Sequence, residues 1–181
     1  MEREQALALI KEKVKNKNLV KHMLATEACM GALAEFLNED KKLWQLAGLL
    51  HDVDYDETVN NSSQHGLISA KILEELKVDE RIIHAIKAHA GHAERNTKLD
   101  IALYAVDPLT GLIVASSLMH PTKSLGKVNT QFVLNRFKEK RFAAGANREQ
   151  IKTCSELGLS LEKFIEICLN AMQSISKELE L

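Results

Sequence analysis

The chain has 181 residues with 24 Lys and Arg against 25 Asp and Glu, a net charge of −1, so its overall field points to neither nucleic acid nor an anionic membrane. It is 45% hydrophobic but only 4% aromatic, so a core must be built mostly from Leu, Ile, Val and Ala. With 2 prolines and 8 glycines there is little punctuation for a many-stranded protein, and a single all-α domain over residues 1–181 is expected.

The N-terminus, Met1-Glu-Arg-Glu, is charged and has no signal-like apolar stretch. Leu7, Ile10 and Val14 recur at helical spacing from about Glu2 to Lys15, and Asn16-Lys-Asn18 breaks that helix. A second helix is expected from about Leu19 to Leu37 with His22 in its first turn, and a third from about Lys41 to Val53, where the small Ala47 and Gly48 permit close helix approach. Asp54 to Gln64 reads as a loop, after which His65-Gly66 opens a helix through Leu76. Asp79 is a good N-cap for the next helix, which should end near Ala90-Gly91. A long apolar segment follows from Leu99 to Met119, with a kink expected at Pro108, whose ring opposes the carbonyl of Tyr104. No apolar run approaches the ~20 residues that span a bilayer. Beyond His120-Pro121, helices are expected from about Thr130 to Lys138, after Asn147, and from a Ser160 cap to about Lys177. Cys29, Cys154 and Cys168 have no C-x-x-C spacing and read as buried free thiols, which suits a cytoplasmic location.

The chemistry-bearing residues are His22, the adjacent pair His51-Asp52 at the end of an apolar helix, His65, His89 and Asp107. An imidazole nitrogen beside a carboxylate oxygen is half of a metal site. A single helical histidine is most often structural, but this ordered combination is hard to reconcile with packing alone.

The order His22, His51-Asp52, Asp107 resembles the HD superfamily of metal-dependent phosphohydrolases, over roughly Leu19 to Met119, with residues 120–181 as a helical extension. The segments around His65 and His89 look like the added histidine motifs of its binuclear members. The resemblance implies a first divalent ion held by His22, His51, Asp52 and Asp107, and a second held by His65 and His89 with Asp52 as bridge. Imidazole and carboxylate donors without thiolate suit Mn, Fe, Co, Ni or Zn. Two such ions activate a water for attack on phosphorus and clamp the phosphoryl oxygens. His51-Asp-Val-Asp54 stands where many members read His-Asp-Ile-Gly. The Gly-Tyr-Pro motif of the cyclic-di-GMP branch is absent, and only twelve residues separate Asp52 from His65, which argues against that substrate. The stretches Ala102–Ile113 and Phe142–Glu149 are similar to a group of uncharacterised bacterial and archaeal HD hydrolases, which supplies no substrate.

Around this set, Asp54 is expected to hydrogen-bond a ligand imidazole and fix its tautomer. His92, three residues after His89, would share its face if the helix continues, as a ligand or a phosphate contact. Asp56 can reach the pocket, whereas Glu57 is expected in a solvated loop and His84 and His120 in structural roles. Between Lys123 and Lys152 lie eight basic and two acidic residues, and Lys123, Lys127, Lys140 and Arg148 are candidates for meeting substrate phosphate. The expected function is hydrolysis of a phosphomonoester or phosphodiester, of a nucleotide by preference, with no membrane partner, no nucleic-acid surface and a homodimer as an open possibility. A non-enzymatic nucleotide sensor and a di-iron oxygenase are the alternatives.

Overall fold

A computed structural model describes residues 1–181, and it is helical throughout with no strand. Eleven α-helices follow in order: α1 (Arg3–Lys13), α2 (Lys17–Leu37), α3 (Lys41–Leu50), α4 (Tyr55–Thr58), α5 (Leu67–Glu75), α6 (Glu80–His89), α7 (Lys98–Met119), α8 (Thr130–Lys138), α9 (Arg148–Lys152), α10 (Leu161–Ser174) and α11 (Ser176–Leu179). Their starts are set by side chains that accept from otherwise unpaired backbone N–H groups: Asn16 for α2, Asp40 for α3, Asp79 for α6, Thr97 for α7, Asn147 for α9 and Ser160 for α10.

The long helices α2 and α7 are the axis of the molecule. α3 and α10 pack on α2, α6 packs on α7, and the C-terminal helices α8 to α10 close over both. Buried apolar residues from Ala6 to Leu179 form one continuous cluster, so the extension completes the same core as the N-terminal helices. The α2–α3 contact is close and extensive. A Cβ on Gly48 would lie 2.8 Å from the carbonyl oxygen of Thr26 and 2.9 Å from its carbon, so this pairing requires glycine.

Three expectations change. The third helix stops at Leu50, which leaves His51 as its C-cap and Asp52 to Asp54 in a turn. The loop expected from Asp54 to Gln64 contains the short helix α4 and a 3₁₀ turn at Ser62–Gln64. The helix α7 does have the length and apolarity to cross a bilayer, contrary to the sequence reading; 56% of its most apolar stretch is buried inside the molecule. It runs unbroken through Pro108, with Asp107 immediately before the proline.

Candidate metal centre

Five segments deliver the converging side chains. His22 comes from the second turn of α2, His51 and Asp52 from the end of α3, His65 from just ahead of α5, His89 from the last position of α6, and Asp107 from mid-α7. His51, Asp52 and His89 are buried, while His22, His65 and Asp107 form the open side. Asn16, Leu19 and Tyr55 complete a cleft of about 360 Å³ over that side.

The hydrogen bonds behind the imidazoles determine what the front faces present. His51 Nδ1 lies 2.8 Å from the carbonyl of Gly48, and His89 Nδ1 2.5 Å from that of Ile86. A carbonyl only accepts, so both Nδ1 atoms carry hydrogen and donate. His65 Nδ1 donates to the Asp54 carboxylate at 3.0 Å. The Thr110 hydroxyl donates to the Asp107 carbonyl at 2.9 Å, and its oxygen then accepts from His22 Nδ1 at 2.9 Å. Each Nε2 therefore turns a lone pair toward the centre.

There the two oxygens of Asp52 divide the histidines. Oδ2 lies 3.6 Å from His22 Nε2 and 3.5 Å from His51 Nε2; Oδ1 lies 3.5 Å from His65 Nε2 and 3.7 Å from His89 Nε2. Asp107 Oδ1 is 3.1 Å from His22 Nε2 and 3.8 Å from His51 Nε2. The His22 and His51 Nε2 atoms face each other at 3.1 Å, an arrangement of two lone pairs that requires a cation or a proton between them. His89 Nε2 is buried with no hydrogen-bond partner at all. This donor set fits a divalent metal ion: His22, His51 and Asp107 close one group, and His51, Asp52 and His89 another.

Charge follows the same logic. Burial opposes a charge on His51, but the carboxylates of Asp52 and Asp107 outweigh it and push its pKa up to about 9. Burial likewise opposes the Asp52 carboxylate, yet the neighbouring imidazoles hold it down to about 2. Asp107 is held well below the usual carboxylate range, the facing imidazoles of His22 and His51 outweighing the opposing effect of burial.

Asp54 stands behind His65, not His51, and does not face the cleft. It is fully buried; Oδ1 accepts from His65, and Oδ2 accepts from the backbone N–H groups of Gly66 and Ser69 at 2.8 and 2.9 Å. It thus caps α5 and aims His65 with one carboxylate. Gly66, at φ +78°, admits this turn, and a Cβ there would lie 2.6 Å from that of Ala90. Asp56 is drawn away from the centre to accept from the backbone N–H groups of Lys15 and Asn16, which fixes the rim. Glu57 is exposed, and His84 binds the buried Asp100 at 3.2 Å, away from the centre. His120 caps the end of α7 beside Thr122.

Other placements correct the sequence reading. The helix α6 ends at His89 and turns at Gly91, so His92 is exposed on the following turn and outside the converging group. Lys123, Lys127 and Lys140 are exposed and line none of the clefts that open on His22. Arg148 is spent on the backbone: its guanidinium donates to the carbonyls of Phe137, Ala143, Ala146 and Phe142, with longer bonds to Arg136 and Glu139. It holds the loop whose Ala143, Gly145 and Ala146 wall a cleft beside His22 and Asp107. Thr110 and Tyr55 were not singled out from sequence. The signal for Thr110 is its spacing of three residues from Asp107 on a helix; Tyr55, edge-on to His65, carries no such signal.

Fold and centre define an all-α protein with a His/Asp cluster that can hold a divalent metal. Within that class the chain belongs to the HD domain family, which it matches over residues 19–113, just over half its length. Among curated proteins it is similar to ribonuclease Y of Nitratidesulfovibrio vulgaris strain DP4, 33% identical over 96 residues, 53% of this chain and 18% of that protein. Ribonuclease Y of Acidothermus cellulolyticus is 30% identical over 94 residues, 52% and 19% of the two chains. That of Desulforudis audaxviator is 30% identical over 137 residues, 73% of this chain and 26% of the relative. The chain therefore spans about a fifth to a quarter of the length of these relatives. No solved structure matches it.

Proposed function

We propose that the chain is a metal-dependent phosphohydrolase that cleaves a phosphate ester, a nucleotide by preference, at the His/Asp centre. One observation carries this reading: imidazole Nε2 atoms converge in two pairs on the two oxygens of a single buried carboxylate, with their Nδ1 protons directed outward. His22, His51, Asp52 and Asp107 would hold one divalent ion, and His65, His89 and Asp52 a second; such ions would supply a water of lowered pKa and positive charge for a phosphoryl group.

The chain's own residues do the rest. Asp52 serves both halves of the centre, one oxygen to each. Gly48, Ile86, Asp54 and Thr110 hold the imidazoles with hydrogen on Nδ1, so that no ring must flip to turn Nε2 toward an arriving ion. The buried floor of His51 and His89 excludes water from below, and the exposed side beneath Tyr55 and Asn16 admits the ester. The ribonuclease relatives bring a phosphodiester into the range of esters to be tested beside monoesters.

The test is a screen of nucleoside monophosphates, dinucleotides and short RNA with the Mn-loaded protein, alongside metal analysis. Wild type should release phosphate or nucleotide, and Asp52→Asn should lose at least about a hundredfold in rate, because both halves of the centre share that residue. Metal-loaded wild type that binds nucleotides yet turns none over would instead support a sensor.

A further inference from the structure

A second cavity, of about 480 Å³, opens from the same centre. It shares His22 with the metal cleft and is floored by Gly111, Val114, Ala115 and Leu118 of α7, with Leu179 opposite and Asn18 and Lys21 of α2 on the rim. The floor residues stand three, four and seven apart, so they form one face of α7, and Asp107 lies one turn earlier on that face. A continuous helical face therefore runs from a candidate metal ligand out along an apolar groove.

Gly111 is the informative residue. It sits in the interior of a 22-residue helix, where glycine costs roughly 1 kcal/mol relative to alanine. Unlike Gly48, it has no partner helix to admit: a Cβ placed there meets nothing within 4 Å. It also lines the neighbouring cleft walled by Ala143, Gly145 and Ala146. Packing gives no reason for a glycine here, whereas close approach of a ligand to the backbone of α7 does.

We propose that Gly111 is a specificity-determining position and that the groove above it receives the non-reacting half of the phosphate ester, as a flat apolar ring. The proposal rests on the reading of the centre as a phosphate-ester site, and His22 supplies the continuity between the two. Ring faces suit Val114, Ala115 and Leu118, while the exposed Asn18 amide offers one donor and one acceptor to a ring edge, as a nucleobase requires. Lys21 is paired with Glu180 at the rim, so its ammonium is engaged there and does not point a free charge at the groove.

The experiment uses Gly111→Ala and Gly111→Leu in the full chain, probed with adenosine, which has no phosphate, and with AMP. Both variants should melt at or above the wild-type temperature and bind metal as wild type does. Adenosine added to the metal-free wild type should shift the amide signals of Gly111, Val114 and Ala115, and these shifts should weaken in Gly111→Ala and vanish in Gly111→Leu. With metal, KM for AMP should rise about tenfold or more in Gly111→Leu, with a smaller change in kcat. Undiminished adenosine shifts in Gly111→Leu, or none in wild type, would overturn the proposal even if AMP is hydrolysed. If no ester is hydrolysed by wild type, the functional reading fails, and the adenosine titration still decides the groove.

Discussion

His51 shows how one residue's surroundings prescribe its chemistry. The Gly48 carbonyl takes its Nδ1 proton, and its Nε2 faces His22 and two carboxylates in a buried setting. Without a metal ion, those carboxylates draw a second proton onto the ring and lift its pKa from 6.5 to about 9. In the metal-free protein this raised value contributes stability that is fully present below pH 6.5 and is lost as pH rises through about 9. Proton and metal ion compete for the same lone pair. Metal uptake at neutral pH should therefore release protons, and apparent affinity should climb from pH 7 to about 9 and then level off. Calorimetric titration with Mn in buffers of different ionisation enthalpy measures the released protons directly; affinity flat across that range would mean that Nε2 of His51 is not a donor to the ion. Asp54 works at the same scale by a different route. Its depressed pKa, with burial overcome by hydrogen bonds from His65 and Ser69, keeps it ionised while it positions His65.

At the scale of elements, the centre depends on how closely helices approach. Gly48 has two roles at once: its missing Cβ lets α3 lie against the α2 backbone, and its carbonyl orients His51. Gly48→Ala places a carbon 2.8 Å from the Thr26 carbonyl oxygen, which is backbone and has no rotamer to yield. The expected cost is about 1–3 kcal/mol, or a fall in Tm of about 2–12 °C by scanning calorimetry, together with reduced metal content. Gly111→Ala should move Tm the other way, since nothing occupies the space above Gly111. Equal Tm and full metal content for Gly48→Ala would show slack between α2 and α3. This element-level logic was partly legible in the sequence. Helical spacing and N-cap residues located most helices, and Ala47-Gly48 announced a close approach. The exit of α3 was not legible, because apolar Val53 continues the pattern while the chain turns at His51 to bring Asp52 and Asp54 to different neighbours.

Across the whole molecule, the ordered histidines and aspartates were readable because most lie beside a helix end or a proline, and a shared pattern needs only their order. Which cations face the cleft was not readable, since that depends on where a loop from the C-terminal helices folds back. Arg148 makes the difference concrete. In sequence it belongs to a basic run; in the fold its donors satisfy carbonyls of Phe137, Phe142, Ala143 and Ala146, and so shape the wall beside Asp107. A phosphate ligand and a backbone clamp respond differently to lysine. Lysine keeps the charge but has a compact ammonium with three donors, which cannot span carbonyls arrayed around a planar fork. Arg148→Lys and Arg148→Met should therefore behave alike, each losing about 1–3 kcal/mol of stability and gaining protease sensitivity between residues 139 and 147. Limited proteolysis with mass mapping and thermal melts of both variants check this. If Arg148→Lys melts as wild type does while Arg148→Met alone raises KM for AMP, the guanidinium's charge acts on substrate and the clamp is incidental.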